Sequence, residues 1–255
     1  MTRTSGNKVI QTHCCGAEFI TPSYSSINLS ANERWTDGRV VGSLFENGGG
    51  LRRCTCGKYF LLSDATTLGT IAKPKPRAPK DWQRKSSSWW HQFWGFPDRK
   101  HVLNTYDTRD SDLIDEEEKQ LPPNAFHVVD SELVDVISDP KLTPEIEIIA
   151  RRRYWRYLND SYRETYRQAR EEDPNAIPSF EPTLPQRENM ERLLSVLDVH
   201  HTQNRIEMAE LLRELGEPSA AQNALKHANN SQSKDVALQN QLINQGVQAP
   251  VRFRY

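Results

Sequence analysis

The sequence predicts an α+β protein, in which a small β-rich unit is followed by a linker and an all-helical region. Three observations predict it: two short cysteine motifs near the N-terminus, a proline- and lysine-rich stretch after residue 72, and apolar residues at three- and four-residue spacings from residue 143 onward. We therefore divide the chain into a β-rich unit at 1–71, a linker at 72–142, a helical region at 143–227 and a tail at 228–255.

Length, charge and hydrophobicity indicate whether the protein binds nucleic acid, crosses a membrane or is secreted. A chain of 255 residues is long enough for two separately packed regions, and a net charge of -1 favours no general attraction to nucleic acid or anionic membrane. No stretch approaches the roughly 20 apolar residues of a membrane span, and the first ten residues lack the apolar run of a signal peptide. We expect a cytoplasmic protein, in which clustered cysteines are metal ligands rather than disulfides.

The β-rich unit is predicted from its turn residues. Asp37-Gly38 lies between two short runs of strand-forming residues, and we expect the pair to adopt the positive backbone angles of a type I′ turn. The glycines at 48–50 then return the chain to the second cysteine motif. Because 38 residues separate Cys15 from Cys54, we expect further strands between the two motifs.

The two cysteine motifs, at 13–19 and 54–60, resemble one zinc knuckle used twice. An alignment without a gap pairs their residues: His13 with Cys54, Cys15 with Cys56, Gly16 with Gly57, and Phe19 with Phe60. Zn²⁺ prefers thiolate and imidazole ligands in a tetrahedron, and a glycine turn lets one short loop supply two of them. Both motifs are shorter than the familiar form, which has two residues between its ligands.

One metal site would use all four cysteines of the chain. Cys15, Cys54 and Cys56 are the expected ligands, and the fourth ligand is either His13 or Cys14. Adjacent side chains diverge in an extended backbone, which favours His13, whereas the distribution of the cysteines favours Cys14. Four protein ligands leave no position for water, so we expect a structural rather than a catalytic Zn²⁺.

The linker contains a basic stretch at 73–80, an aromatic cluster and an acidic run at 107–118. Trp89, Trp90, Phe93 and Trp94 are the candidate partner-binding residues, because tryptophan is a frequent hot-spot residue of protein interfaces. The alternatives are packing against one of the domains, and base stacking beside the basic stretch.

The helical region begins at Thr143-Pro144-Glu145, where threonine can cap the helix and proline suits its first position. We expect this first helix to run over 144–171 and to end before Asp173-Pro174. Its polar side carries seven arginines, which we expect to form a solvated face paired with the acidic run; they are Arg151, Arg152, Arg153, Arg156, Arg163, Arg167 and Arg170.

Two further apolar repeats predict helices that start near Gln186 and near Ile206. Gly216 should end the latter and Pro218 should begin a fourth helix. After about residue 228 we expect a mobile tail with at most one marginal helix, supported by Val236, Leu238, Leu242 and Ile243.

Residues 209–225 resemble the turn region of a tetratricopeptide repeat. Ala209 and Ala221 stand at its small positions, Leu212 and Leu225 at its large apolar positions, and Gly216 at the turn. An arginine replaces the aromatic residue that this repeat has early in its first helix. The whole arrangement is similar to bacterial proteins that join an N-terminal zinc ribbon to a tetratricopeptide-like helical region, and the resemblance implies a scaffold.

No phosphate-binding loop, nucleophile elbow or metalloprotease motif is present, so we expect a non-enzymatic protein. The first hypothesis is a zinc-stabilised protein–protein interaction module, either an adaptor or an immunity or accessory protein of a toxin or secretion system. The alternative is a nucleic-acid-binding accessory protein that uses the zinc ribbon, the basic stretch and the aromatic cluster. The sequence names neither the protein partner nor the oligomeric state.

Overall fold

The computed structural model describes residues 3–26, 32–42, 50–72, 122–228 and 234–253. Within these ranges small antiparallel sheets come first and helices follow, which confirms the predicted α+β class. The basic stretch, the aromatic cluster with Trp89, Trp90, Phe93 and Trp94, and the acidic run lie outside the described residues. No helix in the described ranges combines the length and the apolar character needed to cross a membrane.

Eight short strands form three sheets in the part of the chain that the structure describes. In chain order the strands are β1 (Arg3–Gln11), β2 (Glu18–Ser26), β3 (Glu33–Arg34), β4 (Val40–Val41), β5 (Leu51–Arg53), β6 (Tyr59–Leu61), β7 (Thr66–Ala72) and β8 (Phe126–His127). The strand orders are β2-β1-β7, β3-β4 and β6-β5-β8, and every pairing is antiparallel. Extra strands therefore fill the interval between the cysteine motifs, as predicted.

The hairpin formed by β3 and β4 lies at the predicted place but has a different turn. Gly38 has φ +79°, while no described residue other than glycine has a positive φ, so the type I′ prediction is wrong. The Trp35 N–H donates to the Arg39 carbonyl, which closes a three-residue loop with glycine at the left-handed position. Asp37 keeps a negative φ because its carboxylate accepts from the Arg39 N–H and points into the interior.

Helices make up most of the second half. After a 3₁₀ turn at Asp130–Glu132 they are α1 (Leu133–Ile137), α2 (Pro144–Leu158), α3 (Asp160–Glu172), α4 (Leu184–Val196), α5 (Thr202–Glu214), α6 (Pro218–Lys226) and α7 (Lys234–Asn244). The Thr143 hydroxyl accepts from the Ile146 N–H with Pro144 at the first position, which confirms the predicted start of α2. Gly216 (φ +82°) ends α5 in a Schellman motif, in which the Glu217 N–H donates to the Leu212 carbonyl.

The helix predicted over 144–171 is interrupted at Asn159, between α2 and α3. The side chain of Asn159 is fully buried and bonds Asp37, Glu214 and Gln186. Side-chain donors also take up helix carbonyls at the interruption: Arg163 donates to the Arg156 carbonyl and Gln186 to that of Leu158. The prediction missed the break because these partners come from distant parts of the chain.

The β-rich unit and the helices share their cores. Trp35 packs with Tyr162, Tyr166, Phe180 and Leu242 in one cluster. A second cluster joins Leu51 and Leu61, from the strands, to Ile146 and Ala150 of α2. The expectation of two separately packed regions is therefore wrong for these two cores, because apolar residues of the β3–β4 and β5–β6 hairpins pack against helices.

Parts of the predicted linker and tail also belong to the packed structure. Leu133 and Val136 of α1, from the predicted linker, are fully buried. The predicted mobile tail contains α7, whose Val236 and Leu242 are buried. The helix that we expected as an alternative in this segment is therefore confirmed, and residues 234–244 are packed. Both segments were misjudged because their few apolar residues bury against partners far away in the sequence.

The arginines of α2 and α3 do not form a solvated face. Each of the seven is buried or half-buried. Their partners include carboxylates, carbonyls and a phenol: Arg151 with Glu147, Arg152 with Glu207, Arg153 with Asp130, Arg156 with the Asp37 carbonyl, Arg163 with Asp37 and Asp160, Arg167 with Glu33 and Glu164, and Arg170 with the Tyr166 hydroxyl. The expected pairing with the acidic run lies outside the described residues.

Candidate metal centre

Both cysteine motifs form the turns of β-hairpins. The first connects β1 to β2, whose last pair is Gln11 with Glu18, and the second connects β5 to β6, whose last pair is Arg53 with Tyr59. Each turn contains one glycine in the left-handed region, Gly16 at φ +73° and Gly57 at φ +86°. Both turns therefore depend on a glycine in the left-handed region at the same position, as the alignment of the two motifs predicted.

The turns differ in length by one residue. In the first, the Thr12 N–H donates to the Ala17 carbonyl and the Gly16 N–H to the Thr12 carbonyl; in the second, the Cys54 N–H donates to the Lys58 carbonyl and the Gly57 N–H to the Cys54 carbonyl. The residue equivalent to Cys54 is thus Thr12, and the first turn holds one additional residue. The alignment without a gap, which made His13 equivalent to Cys54, is wrong on this point.

The four cysteine sulfurs come together between the two turns. The Sγ atoms of Cys14, Cys15, Cys54 and Cys56 all lie within 4.8 Å of one another. The Cys15–Cys54 distance is 3.4 Å, the Cys14–Cys56 distance is 3.5 Å and the Cys14–Cys15 distance is 3.9 Å. Zn–S bonds of about 2.3 Å place the sulfurs of a tetrahedral site about 3.8 Å apart. The arrangement can therefore hold one metal ion.

Cys14 belongs to this group, and His13 points elsewhere. The Nε2 atom of His13 lies 3.4 Å from the Thr66 hydroxyl, and its side chain is exposed. Residues 13–15 form a turn, so the argument that adjacent side chains diverge in an extended backbone does not apply to Cys14 and Cys15. Of the two alternatives for the fourth ligand, the geometry favours Cys14.

The four thiols lie in different electrostatic environments. Burial raises the pKa of Cys14 to about 12, and its bonds with the other three cysteines act in the same direction. Burial also opposes ionisation of Cys54, but the Cys56 N–H and the neighbouring thiols outweigh it and lower the pKa of Cys54 to about 6. One thiolate is thus favoured within the cluster, and a thiolate is the form that binds a metal.

A small apolar core supports the cluster from behind. Phe19 and Phe60 each stand three residues after the glycine of their turn, and their rings stack with centroids 6.0 Å apart. Ile10, Cys54 and Ala125 complete the buried group. The equivalent positions of the two phenylalanines confirm that the motifs are related, because each hairpin contributes the same ring to the shared core.

Sequence reasoning missed two contributors to this site. The Thr12 hydroxyl lies 3.7 Å from the Cys54 sulfur and 3.9 Å from the Cys15 sulfur. Both distances are within reach of a hydrogen bond to sulfur, which is longer than one to oxygen. An alignment that allowed one inserted residue would have singled it out. Ala125 packs here because residues 123–125 bond to Ile20 at the outer edge of β2, and no local signal in the sequence predicts that contact.

Comparisons of the chain with protein-family models, with curated proteins and with solved structures found no match. The resemblance to bacterial proteins with a zinc ribbon and a tetratricopeptide-like region therefore stays a prediction. Its helical part corresponds here to the hairpin of α5 and α6, in which Ala209 and Ala221 are fully buried at the small positions.

Proposed function

We propose that the protein is a non-enzymatic protein–protein interaction module whose N-terminal hairpins are fixed by one structural Zn²⁺. The observation that carries the metal assignment is the convergence of four sulfurs from two related turns. Adaptors, and immunity or accessory proteins of toxin or secretion systems, are the forms that such a module would take.

The donor set supports zinc in a structural role. Four thiolates suit Zn²⁺ or iron, and they leave no open position for substrate or water. The ligands would be Cys14 and Cys15 from the first turn and Cys54 and Cys56 from the second. The bound ion would hold together two hairpins that the described residues otherwise join through a small core, so its contribution would be to stability.

An exposed edge strand supports the interaction role. β7 lies at one edge of its sheet and pairs only with β1 among the described strands. Residues 66–70 are all exposed, including Leu68 at 49%. The opposite edge, at β2, is partly covered by residues 123–125. An open edge with an apolar side chain is suited to the addition of a partner's strand.

The nucleic-acid alternative has less support. Five of the seven arginines of α2 and α3 form ion pairs within the protein, so these helices offer no free row of charge to a phosphate backbone. The basic stretch and the aromatic cluster lie outside the described residues. Binding to random DNA and RNA at low and high salt tests this alternative, and affinity that falls steeply with salt would favour it over the protein partner.

The metal assignment is tested by metal analysis of purified protein. We expect about one Zn²⁺ per chain in the wild type, because one tetrahedral site uses all four thiolates. Cys56→Ser should lose the metal, whereas the matched control His13→Ala should keep it, since His13 lies next to the site without joining it. Wild-type protein without metal, or loss of metal in His13→Ala alone, would contradict the assignment.

The interaction surface is tested by cross-linking and affinity capture from native host cells. Leu68→Lys places a charge on the open edge and should abolish recovery of a specific partner. Leu184→Lys is the matched control, because Leu184 is 67% exposed at the start of α4 and belongs to no strand. Equal recovery of the same proteins by both variants would rule out β7 as the docking edge.

A further inference from the structure

A cleft on the helical side of the molecule lies apart from the cysteine cluster. Its volume is about 610 Å³, within the range of pockets that bind small ligands. It is formed by α3 and α7 together with residues near 251–253, and none of the four cysteines lines it.

Part of the lining of the cleft is apolar. Ile177, Leu238, Leu242 and Val251 line it, and Leu238 is only half-buried at the margin of the core that contains Trp35. Burial of a ligand's apolar part against these side chains would be favourable by about 25 cal/mol for each Å² removed from water.

Positively charged side chains form another part of the lining of the cleft. Arg34, Arg170, Lys234 and Arg252 line it, against a single lining carboxylate, Asp235. Arg34 pairs with Asp235, and Arg252 pairs with Glu33. The lining therefore combines a net positive charge with apolar side chains, which favours an anion that also carries an apolar group.

Arg170 is the least satisfied of these cations. Its Nη2 donates to the Tyr166 hydroxyl at 2.8 Å, and its guanidinium lies 5.0 Å from the centroid of the same ring. Its Nε and Nη1 atoms are buried without a hydrogen-bond partner, and no described carboxylate forms an ion pair with it. These two atoms have almost no accessible surface, so a ligand in the cleft would not bond them directly; its anionic group would be attracted by the charge of the guanidinium, which no described carboxylate neutralises in an ion pair.

We propose that this cleft binds an organic carboxylate with an apolar chain. The carboxylate would lie against Arg170 and Lys234, and the chain would lie on Leu238 and Ile177. Lys234 forms no ion pair with a described residue, so both cations are available to the ligand without breaking an existing salt bridge. The site is independent of the metal and of β7.

Isothermal titration of the full chain with octanoate tests the proposal, alongside octanamide and acetate. We expect saturable binding of octanoate with a Kd below about 1 mM, and binding weaker by about tenfold or more for the other two probes. Octanamide lacks the charge and acetate lacks the chain. Absence of saturable octanoate binding, or equal affinity for octanamide, would overturn the proposal.

Two variants locate the site. Arg170→Gln should weaken octanoate binding about tenfold or more, because it removes a positive charge beside the bound carboxylate. Lys234→Gln should weaken it as well, and because Lys234 is exposed this variant keeps the proposal testable if Arg170→Gln fails to fold. Arg187→Gln removes an arginine that does not line the cleft and should leave the affinity unchanged. Equal binding by all three variants would overturn the assignment.

Discussion

Replacing Asp37 with alanine tests the buried ion pair that joins the β3–β4 hairpin to α3. The carboxylate of Asp37 accepts from the guanidinium of Arg163, and both side chains have no solvent exposure. Asp37 also accepts from the Asn159 amide and from the Arg39 N–H. Asp37→Ala would therefore leave a charged arginine in the interior without its buried partner.

The expected loss follows from what remains around Arg163. Removal of one partner from a buried pair costs about 3 to 5 kcal/mol. We expect the lower end, about 3 kcal/mol, because the Nη1 atom still donates to Asp160 at 2.5 Å and to the Arg156 carbonyl at 2.7 Å. With a urea m-value of about 3 kcal/mol/M, the unfolding midpoint should fall by about 1 M.

The assay is urea unfolding followed by tryptophan fluorescence at fixed concentrations of protein and Zn²⁺. Asp160→Ala is the matched control, because Asp160 pairs with the same arginine but has a side chain that is 41% exposed. Its loss should be about 1 kcal/mol or less. A cost for Asp37→Ala no greater than that of Asp160→Ala would refute the reasoning.

A double variant separates loss of the pair from damage to the turn. Arg163→Met combined with Asp37→Ala removes both charges, so the double variant should lose less stability than the sum of the two single variants. Strict additivity would mean that Arg163 and Asp37 do not interact in the folded protein, and would also count against the structure of this network.

Three other predictions concern a proton, a turn and the metal. Burial, with Glu210 and Asp37 nearby, raises the pKa of Glu214. The folded state therefore holds this proton more tightly than the unfolded chain, and the stability that it contributes is lost as the pH rises above 4.5 and through the raised value. Urea midpoints measured from about pH 5 to about pH 8 should thus increasingly favour Glu214→Gln over the wild type, and parallel curves would contradict this. Gly216→Ala should cost about 1 kcal/mol, because φ is +82° and the added Cβ would lie 3.0 Å from the Gln248 amide, whereas Gly69→Ala, with nothing within 4 Å, should change the melting temperature little. Chelation should lower the melting temperature and added Zn²⁺ should restore it; an unchanged melting curve after verified metal removal would contradict a structural role.

Local signals in the sequence predicted much of the fold. The cap at Thr143, the turn at Gly216 and the proline start of α6 depend on residues within one helical turn of each other, and all three are present. The grouping of the cysteines was equally local, since each hairpin supplies two cysteines that are neighbours or near neighbours in the chain.

Non-local contacts account for the failures. The break at Asn159 and the turn at Asp37 depend on side chains that meet across more than one hundred residues. The same is true of the shared cores. The sequence around Trp35 does not predict that its ring will pack against that of Tyr166. The error over His13 has a different origin: the first turn holds one additional residue, which the alignment without a gap did not allow and which the backbone hydrogen bonds reveal.

The last described segment meets the β3–β4 hairpin. The Phe253 N–H donates to the Arg34 carbonyl, the Thr36 N–H donates to the Val251 carbonyl, and Ala249 and Val251 join the core around Trp35. During synthesis the hairpin therefore emerges long before the residues that complete its surroundings. Trp35 must remain without its full cover until residues 249–253 have left the ribosome, so the final packing of this core is a late event in folding.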